Sequence, residues 1–366
     1  MKPLRLLMTA DAIGGVWQYA TDLAGALAPL GVDTVIPLLG PAPSADQRRA
    51  ADAMPGVTLV ETGLPVDWLC EDAAPVRAAG AAIADLAREH AVDLIQYNMP
   101  TLAAAPAGLP TIAVTHGCVS TWWAAAKRSQ LDQAYLWHRS LMLEGLRAVD
   151  RVVAPTRAYG ESVAALYGLP LAPVAVHNGR NAPAEIKPGP LSDQAITVGR
   201  MWDSVKNAAL LDRVAARLAV PFYAAGALVG PHNERVTLNH LQTLGEIDGD
   251  AVRRRLAGRP VFVSAASFEP FGLAVLEAAQ AGCALVLSDI ATFRELWDGA
   301  AVFVLGDDAQ TWASAVEALI AEPVRRHALG EAARVRAARY TTAAAAQAMA
   351  THYRALLSGD VTRVAA

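Results

Sequence analysis

Cysteine is scarce in this chain. Cys70, Cys118 and Cys283 are the only three in 366 residues. An odd number with no CxxC pair excludes a disulfide framework and a zinc ribbon, and points to a reducing compartment. Positive charge is not in excess either: 31 Lys and Arg stand against 35 Asp and Glu, for a net charge of -4. Divided at Arg180, the halves carry 13 basic against 16 acidic residues and 18 against 19. Neither half has the basic surplus of a nucleic-acid-binding module, so no nucleic-acid partner is expected. No stretch approaches the roughly 18 apolar residues that a spanning helix requires. The first apolar run, Leu6–Ala10, is closed by Asp11 and is shorter than a signal-peptide core. These absences imply a cytoplasmic protein with at most peripheral contact at the inner membrane face. The eight histidines show no HExxH or other metal-ligand spacing, so no metal and no tightly held cofactor are expected.

What is present is apolar material: 54% hydrophobic against 18% charged residues. A chain of this length exceeds one ordinary core and suits two domains. Short β-branched runs alternate with Ala/Leu-rich segments at helical spacing, the pattern of parallel strands covered on both faces by crossover helices. Strands are expected at Leu4–Thr9, Thr34–Leu38, Val57–Val60, Leu94–Tyr97, Thr111–Val114, Arg151–Ala154 and Pro173–Val176. A second series restarts at Ala195–Gly199 and continues through Pro221–Ala225, Leu241–Leu244, Pro260–Val263, Ala284–Leu287 and Ala301–Leu305. The fold class is α/β, with two doubly wound, Rossmann-like domains facing a central cleft, at 1–180 and 181–340. The Pro- and Gly-rich stretch Asn178–Gln194 links them. A last helix, capped by Thr341 or Thr342 and running to about Leu357, is expected to pack back toward the N-terminal domain. The spacing also predicts a helix over Val16–Pro29 stopped by Gly31, and one long helix over Trp122–Val149.

Three segments carry chemistry. In Ser264–Leu296 a strand runs into a loop ending at Glu269-Pro270, and a helix is expected from Phe271 with Pro270 in its first turn. The N–H groups of Gly272 and Leu273 then form an anion site, strengthened by the helix dipole. Seven residues separate Glu269 from Glu277, a spacing that suits two carboxylates holding hydroxyls at opposite ends of a nucleotide sugar. The second segment is Gly199-Arg200 followed by Lys206-Asn207, two cations at the carboxyl end of a strand, where open α/β sheets bind ligands and where a departing diphosphate needs positive charge. The third is Gly14-Gly15, after the first strand. It lacks the G-x-G-x-x-G spacing, which disfavours a dinucleotide, yet still permits close backbone approach to an anion. His116-Gly117 closes another strand at the same edge. Asp248 and Asp250 are read as turn and cap residues, Asp250 capping a basic helix over Ala251–Leu256, and not as metal ligands. Trp122 and Trp123 are read as core or domain-edge residues, with a lipid-facing surface as the other reading.

Taken together, Gly14-Gly15-Val-Trp, His116-Gly, Ala154-Pro-Thr-Arg, Val176-His-Asn-Gly179, Val198-Gly-Arg200 with Lys206-Asn207, and Glu269-Pro-Phe-Gly-Leu-x3-Glu277 resemble the retaining glycosyltransferases of the GT-B fold, specifically family 4. The resemblance spans essentially the whole chain. It implies sugar transfer from a nucleoside-diphosphate sugar to a hydroxyl of a glycan, lipid or small molecule, with retention and without metal. By resemblance Glu269 binds sugar hydroxyls, Glu277 the ribose, and Gly272, Leu273, Arg200 and Lys206 the diphosphate. His116 touches the transferred sugar, and Gly14 and Gly15 border phosphate and acceptor. Gly199 and Phe271 complete the donor-binding set, and His116, Arg200, Lys206 and Glu269 the catalytic one. Pro270 and Ala274 stand where the family often has Gly and Pro. The rival readings are another GT-B enzyme, such as an epimerase or a phosphorylase, and a silent binding protein on that fold.

Overall fold

The structure, a computed structural model, describes residues 3–182, 189–231 and 233–359. The chain divides into two compact units, Met1–Gly179 with Thr341–Ala366, and Arg180–Tyr340. Part of the expected linker, including Pro183 and Pro188, lies outside the described residues.

The first unit holds an all-parallel sheet of β1 (Leu4–Met8), β2 (Ala10–Asp11), β3 (Val32–Leu39), β4 (Val57–Glu61), β5 (Leu94–Tyr97), β6 (Thr111–Val114), β7 (Arg151–Ala154) and β8 (Val174–Ala175). Its order is β2-β3-β1-β5-β6-β7-β8, with β4 on the free side of β3. Burial on both faces is visible residue by residue. Leu6, Met8, Leu94, Ile112 and Val114 face one core, while Leu7, Ile95 and Ala113 face the other. The side-chain period of two thus sends successive apolar residues to opposite cores, which is why these strands read as unbroken apolar runs.

Helix Gly15–Leu27 covers the first of these cores with Ala20, Leu23, Ala24 and Leu27, and Gly31 ends the following turn in the left-handed conformation, φ 76°. The last helix, Thr342–Leu357, is capped by Thr341, whose hydroxyl accepts from the Ala344 N–H. Ala346, Met349, Ala350 and Tyr353 pack it into that same core. Arg151 donates to His352 Nδ1 at 2.9 Å behind it.

The second unit holds β9 (Ala195–Val198), β10 (Phe222–Ala225), β11 (Gln242–Gly245), β12 (Val261–Ser264), β13 (Leu285–Ser288) and β14 (Val302–Val304), again all parallel, in the order β11-β10-β9-β12-β13-β14. The strand order reverses at β9: its next strands in sequence run to one side, and β12 pairs with its other edge. The carboxyl ends of β9 and β12 are therefore the switch point at which open sheets of this kind bind ligands.

Every expected strand is present within two residues of its expected bounds; only the two-residue β2 was not anticipated. Other expectations need correcting. Trp122–Val149 is not one helix but Val119–Lys127 and Leu136–Ala148, with Arg128 left-handed at the first C-cap and a short 3-10 turn between. Gly145 explains why the second piece cannot shift, since a Cβ there would fall 1.8 Å from the Pro100 carbonyl oxygen. The basic helix runs from Gly249 to Ala257 and its cap is Asp248, which accepts from the Ala251 N–H at 2.7 Å. Asp250 lies in its first turn and pairs with Arg253. No helix among the described residues is long and apolar enough to cross a membrane.

The cap assignment is testable. Asp248→Ala is expected to lower stability by about 1 kcal/mol, whereas Asp250→Ala, which removes only an exposed ion pair, costs at most about 0.5 kcal/mol. Urea unfolding of the two variants gives the order, and the reverse order would return the cap to Asp250.

Candidate functional site

In the second unit, the loops after β9 and β12 bring together residues that lie 58 to 63 positions apart in sequence. Asn207 Nδ2 donates to the Ala265 carbonyl at 3.2 Å, and the Ser267 N–H donates to the Val205 carbonyl at 2.9 Å. On this double tie Lys206 Nζ reaches Glu269 Oε2 at 2.5 Å, each side chain 19% exposed. The basic pair and the glutamate loop, read separately in sequence, are one cluster. Arg200 is half exposed, held at 3.0 Å by the buried Asp203 and stacked on the Trp202 ring at 5.4 Å. Asp203 also caps the short turn that delivers Lys206, accepting from the Val205 N–H. Gly199 precedes these residues, and its carbonyl oxygen lies where a Cβ on Gly226 would stand, which keeps that position glycine.

The helix after β12 starts later than its sequence suggests. It runs Leu273–Gln280, and its N-cap is Gly272 in the left-handed region at φ 90°, without a side-chain cap or an acid in the first turn. Pro270 is thus loop and not first turn. Phe271 is 3% exposed, edge-on to Tyr340 at 5.7 Å; its ring belongs to the core, which leaves any ligand contact to its backbone. The uncapped first turn presents the donors of Leu273 and its neighbours at the positive end of the helix dipole.

Glu277, one turn in, accepts from Arg180 Nε at 2.6 Å, with the two side chains 18% and 13% exposed. Sequence reasoning placed Arg180 at a domain boundary and gave it no partner. Three contacts hold it in place: the ion pair, its N–H to the Tyr340 carbonyl at 3.0 Å, and its own carbonyl, which accepts from Gln280 Nε2 at 2.5 Å. A carboxylate this far from water needs such a partner.

In the first unit, Gly14 is the N-cap of helix Gly15–Leu27 at φ 84° and ψ -136°, a region that only glycine enters without strain, and this helix too lacks a side-chain cap. His116 follows β6 and is only partly exposed. Its Nε2 lies 3.2 Å from Asn98 Oδ1, and its ring meets Tyr19 edge-on at 4.4 Å. Asn98 belongs to a buried network that sequence reasoning missed. Asn98 Nδ2 donates to the Thr9 carbonyl at 2.8 Å, Gln96 Nε2 donates to Asn98 Oδ1 at 2.9 Å, and the Tyr353 hydroxyl donates to Gln96 Oε1 at 2.5 Å. The available signal was two amides, two positions apart, at the end of an apolar strand. Burial pushes the His116 pKa down to about 4, so the ring is neutral at pH 7. Among the described residues, no group of three or more His, Cys, Asp or Glu is disposed to hold a metal ion.

Two families match the chain. Residues 13–182 match Glycosyltransferase Family 4, and residues 192–322 match Glycosyl transferases group 1. The chain belongs to the family 4/group 1 glycosyltransferases. Solved structures agree on the fold. The glycosyltransferase resembles the sucrose-phosphate synthase of Thermosynechococcus elongatus with a TM-score of 0.79 at 17% identity, over 97% of this chain and 100% of the other. It resembles HepE of Anabaena in complex with UDP-glucose (0.74, 16% identity, 96% and 100%). A glycosyltransferase of Rickettsia africae is also similar (0.73, 16% identity, 98% and 99%). The fold is therefore GT-B, with two Rossmann-like halves. No curated protein matches the glycosyltransferase.

The neutral His116 has a thermodynamic signature. Its ordinary pKa near 6.5 persists in the unfolded chain, so on acidification the unfolded state takes up the proton first. Stability is then constant above about pH 6.5 and falls toward pH 4. A shift of this size is worth about 3 kcal/mol at most. His352, likewise pushed down to about 4 by burial and by Arg151, adds a similar loss. Urea unfolding at pH 7 and pH 4.5 should show His116→Gln losing less stability than the parent by about 1–3 kcal/mol. Equal losses would mean that His116 titrates normally.

Proposed function

We propose that this glycosyltransferase takes a sugar from a nucleoside-diphosphate donor and passes it, with retention of anomeric configuration and without metal, to a hydroxyl of a glycan, lipid or small molecule. The observation that carries the reading is the Lys206–Glu269 pair at the strand-order reversal, beside an uncapped helix terminus. A cation and free amide donors suit a diphosphate; the adjoining carboxylate suits sugar hydroxyls. Family membership and the similarity to HepE, which is known in complex with UDP and with UDP-glucose, support the donor class.

In this reading Gly272, Leu273, Gly199, Arg200 and Lys206 hold the diphosphate, and Phe271 contributes through its backbone. Glu269 holds the sugar, and Glu277, oriented by Arg180, holds the ribose. His116 contacts the transferred sugar, and Gly14 and Gly15 border phosphate and acceptor. As the anomeric C–O bond to the diphosphate breaks, the acceptor oxygen bonds to the same carbon from the same face. Its proton passes to the departing diphosphate oxygen. Arg200, Lys206 and the helix terminus stabilise charge that grows on that leaving group, which is the service a metal ion otherwise provides. The pairing of Lys206 with Glu269 also gives each charge a partner before a donor binds. The reaction is proposed to run in the cytoplasm, with any membrane contact peripheral and at the inner face, and with no nucleic-acid partner.

Arg200→Ala and Lys206→Ala should each lower kcat by ~100- to 1,000-fold and raise KM less, because the leaving-group charge is larger in the transition state than in the bound donor. Variants that keep kcat within a few-fold of the parent would reduce the two cations to ordinary surface charges. Proton NMR of the product's anomeric coupling, recorded early in a reaction containing EDTA, should show the donor's configuration. An inverted linkage would sink the retaining assignment, and turnover abolished by EDTA and restored by manganese would sink the metal-free one.

A further inference from the structure

We propose that Asn98 is a positioning residue that locks His116 as the neutral tautomer with its proton on Nε2. The imidazole then meets a sugar hydroxyl as an acceptor at Nδ1, and Nε2 is unable to serve as a base. The assignment of His116 to the sugar rests on the function proposed above; the tautomer does not.

The direction of each hydrogen bond follows from its neighbour. The Thr9 carbonyl can only accept, so the atom of Asn98 that lies 2.8 Å from it is the amide nitrogen. The Asn98 side chain is thereby oriented, and its Oδ1 becomes the acceptor at the other end. The Thr9 hydroxyl reinforces this by accepting from the Asn98 N–H at 2.9 Å. Two groups approach Asn98 Oδ1, Gln96 at 2.9 Å and His116 Nε2 at 3.2 Å, and both must bring hydrogens. For Gln96 this fixes Nε2 toward Asn98 and Oε1 toward Tyr353, which is the arrangement in which the Tyr353 hydroxyl donates to Oε1. For His116 it fixes the proton on Nε2.

The neutral ring then has its lone pair on Nδ1. Asn98, Gln96 and Tyr353 are all buried, so water does not compete for these bonds. The low pKa of His116 is consistent with a ring that stays neutral, and the titratable groups nearest this network, Tyr19 and Tyr353, are phenols that burial holds in the neutral form.

The lock makes a spectroscopic test possible without substrate. The full-length protein is labelled with 15N-histidine, and the signals of His116 are identified as those lost in His116→Gln. Two-bond 15N–1H correlation spectra at pH 7 should show the Nε2–H tautomer alone in the parent. Tyr353→Phe leaves the Asn98–Thr9 bond in place and should keep that tautomer. Asn98→Leu should release the ring to a mixture of both tautomers. Asn98→Asp retains an acceptor oxygen and adds a charge, so it should keep Nε2–H and raise the His116 pKa by at least one unit. A parent spectrum showing Nδ1–H, or a charged ring at pH 7, overturns the proposal whatever the variants do. So does an Asn98→Leu variant that folds and retains Nε2–H alone. Failure of sugar transfer alongside the expected spectra would instead count against the function proposed above, which keeps the two readings separable.

Discussion

Lys206 and Glu269 stand on the loops that follow two neighbouring strands at the strand-order reversal, and the attraction between them fixes how those loops lie against each other. Two charges with only a fifth of their surface in water cannot both be left alone without a penalty of several kcal/mol, so each fixes the other. The backbone ties from Asn207 and Ser267 carry the loops into register, and the ion pair completes it. A ligand that separated the pair would have to replace both halves, offering an anion to the lysine and donors to the carboxylate. A sugar attached to a diphosphate would offer both.

Much of this was legible in the sequence because burial on both faces leaves a strong signal. β5 and β6 carry apolar residues toward two cores at once, and their bounds could be read to the residue. Helix ends were harder. Asp248 and Asp250 are equally good capping residues, and the choice between them depends on where the first turn begins, which is at Gly249, directly after the extended Asp248 at φ -65° and ψ 160°. The start of the Leu273 helix was misplaced for a related reason. Pro270 suits a first turn in isolation, but a left-handed Gly272 interrupts the chain before a helix can propagate from there.

The site shows the same division between local and distant causes. Glu269, Glu277, Arg200 and Lys206 could be singled out because each stands at a strand end or in a helix whose surroundings are apolar. The partner of Glu277 could not, since Arg180 is separated from it by almost a hundred residues and nothing local requires the two to meet. Gln96 was passed over as a strand residue, and Asn98, just beyond the strand, was given no role. Their amides act outward from the end of β5, toward residues on three other segments, and only the folded arrangement gives those amides a direction.

Helix Thr342–Leu357 belongs to the first unit although all of the second unit's sequence is made before it. A ribosome that has finished β8 has therefore made a first unit whose core still lacks Ala346, Met349, Ala350 and Tyr353. At ordinary elongation rates the missing helix arrives roughly ten to thirty seconds later. During that interval helix Gly15–Leu27 offers an uncovered apolar face to the cell, and Gln96 waits for the hydroxyl that will satisfy it. The second unit, continuous from Arg180 to Tyr340, has no such gap in its sequence and can close first. The first unit, begun earlier, is thus the last to have its whole sequence available.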